Sequence, residues 1–503
     1  MKKQISRGIA LSFFSQIITI IVGLAYTPIM IRILGQSEYG LYQLVLSVVN
    51  YLNLMNLGFN GAYIRYYVLA RNKNDDDNEV ANVNGMFMKV FLVITALCLF
   101  AGAILYFNIG ILGKQLTTED YSIAKKLLVI MVVNLAISFP NSLYVAYMSA
   151  NERFVYQKVV GIIINIAIPV LNLPLLYMGG GSVSVVSVAL ILTIIRLIAN
   201  IWYCYDKLQM KINIGFFNKE IFKELLGYTL FIFLSDVVDQ LNSNVDKFLL
   251  GRLTGTIAVA IYSVGYNLKN YYTTVSWIVP EMFVPEANRL AVDRTKENEL
   301  TNVFVKVGKF NNYLMLLVLS GFLLAGRQFV CLWVGEEYEI SYYATLILML
   351  AGYIPAVQTL GVNIQNAKNM HRTRSVVYFI VACMNVVTSI YFIKLWGVVG
   401  TCLGTLLATL LGHGVFMNWY YQRKIGLNIL YFWKEMFKWI LPVCILTGIG
   451  MVIIQYFMID SWVKLIVFAF GYGCIYVMVL YFIGLDTAQR KNIREKAKLA
   501  MKR

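Results

Sequence analysis

The segment Arg32-Ile33-Leu34-Gly35-Gln36-Ser37-Glu38-Tyr39-Gly40-Leu41-Tyr42 closes the first long apolar run of the chain, and a shorter version returns as Arg252-Leu253-Thr254-Gly255 followed by Tyr262. In both copies, Arg-x-x-Gly ends an apolar run long enough to cross a bilayer. Asn165 and Asn385 have the same separation as the two copies. The repeated unit is therefore a set of membrane spans, and duplicated halves are typical of transporters. Chance agreement is the alternative, because the matching positions are few.

Composition places most of the chain in lipid. Of its residues, 59% are hydrophobic and 14% are charged, with a mean hydropathy of +0.67, whereas ordinary soluble domains carry about 25% charged residues. Apolar runs of about 20 residues predict fourteen spans. These lie near 8–31, 41–64, 86–109, 124–147, 157–178, 183–204, 226–250, 257–283, 307–328, 342–364, 374–393, 397–419, 437–458 and 461–484. The first run is too long for a signal peptide and lacks its cleavage site, which predicts a retained span.

The net charge of +17 does not indicate a nucleic-acid partner, because the basic residues lie in short connections between spans. With the N-terminus in the cytoplasm, about 30 of the Lys and Arg residues fall on the cytoplasmic side and about 8 on the other, as the positive-inside rule requires. Both termini are therefore predicted to be cytoplasmic. Basic clusters such as the tail containing Arg490 and Lys491 indicate contact with anionic membrane lipids.

The duplication predicts a particular domain organisation. We expect an N-terminal six-helix lobe at 1–205, a cytoplasmic amphipathic linker at 206–225, a C-terminal six-helix lobe at 226–425, and two extra transmembrane helices with a basic tail at 426–503. Because each lobe has an even number of spans, both begin on the cytoplasmic side and are related by a pseudo-twofold axis along the membrane normal. The extra pair either widens the lipid-facing belt or guides a lipid tail.

The sequence carries no catalytic or metal-binding pattern. Its seven cysteines include no C-x-x-C pair, and neither His371 nor His413 has a carboxylate or nucleophile near it in sequence. Gly113-Lys114-Gln115 lacks the other residues of a phosphate-binding loop. No connection is longer than about 25 residues, which leaves no room for a nucleotide-binding domain. We therefore expect a transporter with no catalytic residues, no metal and no bound cofactor.

The seventh span carries a polar stripe. Its members follow the i, i+3, i+4, i+7 spacing of one helix face, and they are Asp236, Asp239, Gln240, Ser243, Asp246 and Lys247. An ionised carboxylate near the centre of a bilayer costs roughly 2.5–3.5 kcal/mol, so this face must contact water, a partner helix or a passage. We predict that Asp236, Asp239 and Asp246 serve ion coupling, with H⁺ or Na⁺ as the ion. The alternative is a structural seam in which Asp246 pairs with a cation.

Other polar residues occur in spans that we expect to surround a central cavity. The predicted substrate-binding residues are Asn60 and Arg65 in the second span, Asn134 in the fourth, Asn267 and Lys269 in the eighth, and Gln358 and Asn363 in the tenth. A cavity that offers Arg and Lys favours an anion, and Arg suits bidentate contact with phosphate. For Arg65 the alternative is a side chain that reaches back to the cytoplasmic interface.

Three stretches of the chain resemble the Wzx-type polysaccharide repeat-unit flippases. They are Phe13-Phe14-Ser15-Gln16, the segment 32–42, and Asn244-Val245-Asp246-Lys247-Phe248-Leu249-Leu250-Gly251. These flippases belong to a superfamily that includes the MATE exporters and the lipid II flippase. The resemblance implies an all-α polytopic, MATE-like fold, with a central cavity formed by the first, second, fourth, seventh, eighth and tenth spans.

The resemblance also implies a function. Such flippases move undecaprenyl-pyrophosphate-linked oligosaccharides from the inner to the outer leaflet of the bacterial cytoplasmic membrane, for O-antigen, capsule or exopolysaccharide assembly, with a polysaccharide polymerase complex as a partner. Outward movement of about two negative charges across an inside-negative potential of about 100 mV is favoured by roughly twice 2.3 kcal/mol. Three alternatives stay open: a cation-coupled multidrug exporter of the MATE type, a lipid II flippase, and a non-transporting scaffold. A first span whose only cation is Arg32, near its outer end, argues against lipid II.

Overall fold

The computed structural model describes residues 2–74, 77–113, 115–368, 370–456, 459–484 and 490. Within these ranges the chain forms helices and no β-strand. Ten of the helical stretches found there are long and apolar enough to cross a membrane. The prediction of an all-α polytopic membrane protein is therefore confirmed. Lys114 and the basic tail, apart from Arg490, lie outside the described residues.

The α-helices are numbered in chain order. They are α1 (Lys2–Leu52), α2 (Phe59–Asn74), α3 (Asp77–Phe107), α4 (Thr118–Ala150), α5 (Phe154–Tyr177), α6 (Gly181–Trp202), α7 (Lys219–Leu253), α8 (Thr256–Val275), α9 (Ile278–Val292), α10 (Glu297–Val334), α11 (Glu339–Val357), α12 (Thr359–Ala367), α13 (His371–Thr409), α14 (Asn418–Tyr420), α15 (Ile429–Tyr456) and α16 (Trp462–Val479). Short 3₁₀ and π-helical turns join or extend several of them. Each predicted span falls on one helix or on consecutive helices, apart from positions 457–458, which are not described.

Glycine and proline decide where these helices bend. Helix α1 contains the first predicted span and half of the second, and its backbone turns at Gly35, where φ is +74°. Helix α13 turns in the same way at Gly397, where φ is +54°. Positive φ costs glycine little, so these two positions let one helix change direction without a loop. The tenth predicted span is instead divided between α11 and α12, shortly after Pro355.

The contacts between Cα atoms divide the chain into two compact units. The first contains Met1–Ser263 and Tyr378–Thr401, and the second contains Val264–Val377 and Cys402–Arg503. In the first unit, α1 packs against α4, α5 and α7, while α3 and α6 pack against α4. In the second unit, α10 packs against α9, α11, α15 and α16. The two-lobe division expected from the duplication stays a prediction.

The two extra helices are fixed to α10 by hydrogen-bonded aromatic side chains. The indole nitrogen of Trp439 on α15 donates to the hydroxyl of Tyr476 on α16 at 2.8 Å. That hydroxyl donates in turn to the carbonyl oxygen of Tyr313 at 2.7 Å, and the hydroxyl of Tyr472 bonds to that of Ser320 at 2.7 Å. Because both tyrosine hydroxyls bond to α10 and the Trp439 indole bonds to one of them, the extra pair forms a fixed wall of the second unit.

The first copy of the repeated segment joins three helices of the first unit, α1, α6 and α8. A Cβ atom at Gly40 would collide with the carbonyl oxygen of Thr256, so α1 and the start of α8 are in backbone contact there. The Ser37 and Thr256 hydroxyls are 3.1 Å apart. Glu38 accepts a hydrogen bond of 2.5 Å from the backbone nitrogen of Ser182, where a carboxylate is favoured by the first turn of α6. The segment is therefore a structural junction.

Substituting Gly40 tests this junction. We expect Gly40→Ala to lower the free energy of unfolding by about 1–3 kcal/mol, because the added methyl group forces α1 away from α8. Gly61→Ala is the matched control, since a Cβ at that helical position meets nothing within 4 Å. The measurement is thermal unfolding of both purified variants in detergent. Equal melting temperatures for the two variants would contradict the backbone contact.

Candidate functional site

The polar stripe of the seventh span lies on α7, which packs against α1 in the first unit. The helix begins at Asn218, whose side-chain oxygen accepts hydrogen bonds from the backbone nitrogens of Glu220 and Ile221, at 2.9 Å and 3.1 Å. This cap fixes where the helix starts. Between this cap and the end of α7 at Leu253, the four-residue spacing of polar side chains places them on one side of the helix.

Two buried charged residues lie near the C-terminal end of α7. Asp246 is fully buried, and its carboxylate accepts a 2.9 Å hydrogen bond from the hydroxyl of Tyr262 on α8. Lys247 is 7% exposed, and its ammonium donates to the side-chain oxygen of Gln43 on α1 at 3.1 Å. The amide nitrogen of Gln43 donates to the hydroxyl of Tyr39 at 3.1 Å. These contacts form a continuous seam from α8 through α7 to α1, which favours the structural interpretation of Asp246.

A second row of amide contacts lies one turn earlier on α7. The side-chain nitrogen of Asn50 donates to the oxygen of Asn244 at 3.2 Å, and the nitrogen of Asn244 donates to the oxygen of Gln240 at 2.6 Å. Sequence reasoning found the α7 members of this seam but missed those of α1. A signal existed, because Tyr39, Gln43 and Asn50 recur at the spacing of one helix face.

The other two acids of the stripe have different surroundings. Asp236 is partly exposed and Asp239 is exposed. At a rise of 1.5 Å per residue, Asp236 lies about 15 Å along the helix from Asp246, nearer the middle of α7. Their exposure leaves both carboxylates accessible to a small cation or a proton, so they suit the coupling role better than Asp246 does.

The first unit also holds three of the predicted substrate-binding residues. Arg65 lies on α2, with its guanidinium 3.9 Å from the carboxylate of Glu224 at the start of α7, and both side chains are about half exposed. An exposed ion pair of this kind contributes only about 0.2–1 kcal/mol, so Arg65 can exchange partners. The side-chain oxygens of Asn60 and Asn134 are buried, and neither accepts a hydrogen bond from any residue that the structure describes.

In the second unit, Lys269 projects from α8 beside α11. Its ammonium lies 5.3 Å from the centre of the Tyr266 ring, a favourable cation–π distance. A Cβ atom at Gly352 would lie 3.7 Å from Cε of Lys269, so the lysine stem packs where α11 has no side chain. Lys269 and its neighbour Asn267 are both partly exposed. The lysine is thus positioned by apolar and aromatic contacts.

The tenth-span residues of the second unit differ in burial. Gln358 is 3% exposed, and its nitrogen donates to the side-chain oxygen of Asn418 at 2.6 Å. That oxygen also accepts a 3.1 Å hydrogen bond from the indole of Trp433. Gln358 is therefore part of a packed polar cluster, whereas Asn363 is partly exposed.

The predicted site residues are divided between the two units. Asn60, Arg65, Asn134, Asp236, Asp239 and Asp246 belong to the first, and Asn267, Lys269, Gln358 and Asn363 belong to the second. Their gathering around one cavity stays a prediction. Among the residues that were described, no group of three or more His, Cys, Asp or Glu side chains could hold a metal ion.

With this arrangement established, comparison with known proteins assigns the family. Residues 5–277 match the model of a family described as polysaccharide biosynthesis protein. The chain belongs to this family. It is 20% identical over 439 residues to the "Putative O-antigen transporter" of Shigella flexneri, covering 82% of this chain and 96% of that protein. It is also 20% identical over 416 residues to the "Probable flippase AglR" of Haloferax volcanii, covering 81% of this chain and 82% of that protein.

Solved structures share the fold of this family member. The structure titled "Lipid II flippase MurJ, inward closed conformation" superposes with a TM-score of 0.74 at 17% identity, covering 94% of this chain and 98% of that chain. An inward-facing multidrug resistance MATE family transporter gives a TM-score of 0.62 at 15% identity, covering 82% and 99%. At these identities the likeness shows the fold alone. Together, the family and its relatives confirm the predictions of a MATE-like fold and of a membrane transporter rather than an enzyme.

The seam between α1 and α7 predicts a measurable energetic coupling. We expect Gln43→Leu to lower the free energy of unfolding by about 1–3 kcal/mol, because the buried Lys247 ammonium loses one acceptor. Adding Lys247→Met should recover most of that loss, since the charge is then gone. Thermal unfolding of both single variants and the double variant gives the coupling free energy.

Gln43→Glu is the matched control for this cycle. It retains an acceptor for the Lys247 ammonium and should unfold close to the wild-type temperature. Additive effects of Gln43→Leu and Lys247→Met would show that the two side chains do not depend on each other.

Proposed function

We propose that this protein is a flippase that moves undecaprenyl-pyrophosphate-linked oligosaccharide repeat units from the inner to the outer leaflet of the bacterial cytoplasmic membrane. The observation that carries the proposal is the set of charged and amide side chains on the helices of the predicted spans, in a chain of the polysaccharide biosynthesis family. Relatives named as an O-antigen transporter and as a flippase support the substrate class. The product would enter surface polysaccharide assembly, with a polymerase complex as a partner.

The physical task of such a flippase is to replace water around the polar part of a lipid. Sugar hydroxyls and a diphosphate lose their hydration in hydrocarbon, at a cost of several kcal/mol for each unsatisfied group. The buried amide oxygens of Asn60 and Asn134 are acceptors, which match the hydroxyl donors of a sugar. Lys269 and Arg65 supply cationic donors for the diphosphate, and Arg65 makes an exposed ion pair with Glu224.

Transport also needs a driving force and a way to reset the empty carrier. The membrane potential favours outward movement of the diphosphate. In this proposal, H⁺ or Na⁺ entering through Asp236 and Asp239 adds to that force and returns the protein to its inward-facing state by alternating access. Both termini lie in the cytoplasm, where basic connections contact anionic lipid headgroups.

Deletion of the gene tests the proposed function. Surface polysaccharide should be lost, and mass spectrometry of extracted lipids should show complete undecaprenyl-pyrophosphate repeat units accumulating, because synthesis continues while export stops. Wild-type protein and Lys269→Arg should restore both readouts, whereas Lys269→Ala should reduce surface polysaccharide at least tenfold at equal abundance. Intact polysaccharide with normal lipid pools and a gain in resistance to cationic dyes on overexpression would favour a multidrug exporter instead.

The two carboxylate environments on α7 predict different variant phenotypes. Asp236→Asn should lower transport at least tenfold at normal abundance and stability, since a partly exposed carboxylate that binds the coupling ion is lost. Asp246→Asn should instead lower the melting temperature, because its buried carboxylate is held by the Tyr262 hydroxyl. Asp236→Glu is the control that keeps the charge. Full transport by Asp236→Asn would exclude that residue from coupling.

A further inference from the structure

An apolar groove lies in the first unit, outside the polar seam. It has a volume of about 500 Å³ and lies between α1, α3 and α7, beside the short turn that follows α3. Its lining is hydrocarbon apart from one tyrosine hydroxyl, and consists of Val48, Tyr51, Leu52, Ala101, Ile104, Leu105, Ile111, Leu241, Val245 and Phe248. A groove of this size and lining suits a flexible apolar ligand.

The groove is continuous with the outer surface of the spans. Ile104 and Ile111 line it and are also 49% and 44% exposed. Leu97 and Phe100, on the preceding turns of α3, are exposed apolar side chains as well. In a membrane protein, exposed apolar side chains along a spanning helix face lipid. The groove therefore opens to the hydrocarbon of the bilayer and suits a hydrocarbon chain.

The wall formed by α7 separates this groove from the polar seam. Leu241, Val245 and Phe248 face the groove at i, i+4, i+7 spacing. The polar residues Gln240, Asn244 and Lys247 each precede one of them directly in sequence. Asn244 and Lys247 bond to α1, and Gln240 accepts a hydrogen bond from Asn244. Helix α7 thus carries an apolar row that lines the groove and, offset by one residue, a polar row beside it.

Tyr51 supplies the polar group of the groove lining. Its ring lines the cavity, and its hydroxyl is buried without a hydrogen-bond partner among the residues that the structure describes. The next residue along α1 toward the seam, Asn50, bonds to α7. A buried donor at the end of an apolar groove suits a hydrocarbon chain that ends in an oxygen acceptor. The oxygens of a diphosphate joined to the end of a polyprenyl chain are such acceptors.

We propose that this groove seats the polyprenyl tail of the lipid-linked substrate, with the tail's diphosphate end toward Tyr51 and the α7 seam. This inference rests on the proposed function. The groove lies near the C-terminal ends of α3 and α7, so in the predicted orientation it holds the tail in the outer half of the bilayer while the headgroup is released.

Photolabelling of the full-length protein in membrane vesicles tests the groove. The probe is a polyprenyl diphosphate with a benzophenone at the tail end, and the comparison probe is phosphatidylglycerol with a benzophenone on an acyl chain. Mass spectrometry should place the polyprenyl adducts on peptides containing 101–111 or 241–248. Preferential labelling of other helices, or equal labelling of these peptides by the phospholipid probe, would overturn the inference.

A matched pair of variants on α3 links the labelling to transport. Ala101→Trp fills the groove and should lower both polyprenyl labelling and surface polysaccharide at least tenfold. Leu97→Trp, one turn away on the lipid-facing side, should match wild type in both.

If wild-type protein fails to restore polysaccharide in the deletion strain, the proposed function fails. If wild type restores it and Ala101→Trp does so equally with full labelling, only the groove assignment is overturned. If Ala101→Trp does not reach the membrane, the positions of the polyprenyl adducts on the wild-type protein test the groove assignment.

Discussion

Hydrocarbon offers no hydrogen bonds, so a charged side chain that this chain buries on a predicted span needs a partner in the protein. Asp246 and Lys247 show how the first unit meets that requirement. The two residues are adjacent in sequence but bond to different helices. Asp246 accepts a hydrogen bond from Tyr262 on α8, and Lys247 donates one to Gln43 on α1. The helices that supply those partners cannot separate without leaving a charge unsatisfied. The positions of α1, α7 and α8 in this unit follow from that condition.

The spans and the α7 stripe could be predicted because both depend on local sequence. About 20 apolar residues are needed to cross a bilayer, and four-residue spacing places polar groups on one helix face. The bends at Gly35 and Gly397 were not predicted, since an isolated glycine in an apolar run gives no sign of which φ it adopts. The backbone contact between Gly40 and Thr256 depends on two distant segments, so it also needs the structure.

The acids of α7 show where site prediction from sequence stops. Asp236, Asp239 and Asp246 occupy one stripe and are equivalent by spacing alone. Their surroundings differ: Asp246 is fully buried against a tyrosine hydroxyl, and Asp239 is exposed. Burial is set by neighbouring helices, which the stripe itself does not reveal. The α1 side chains at 39, 43 and 50 were missed because tyrosine, glutamine and asparagine in an apolar run were not read as one face.

The turn at Gly35 joins two predicted membrane crossings through a kink, with no loop between them. Because no exposed loop separates them, this point offers no site for a protease, an epitope tag or a new chain terminus, all of which need an accessible segment with spare backbone. Glu38 and Gly40 follow within five residues, and they contact α6 and α8, respectively. Length changes between these two crossings would therefore displace several helices together, and circular permutants of this chain should open elsewhere.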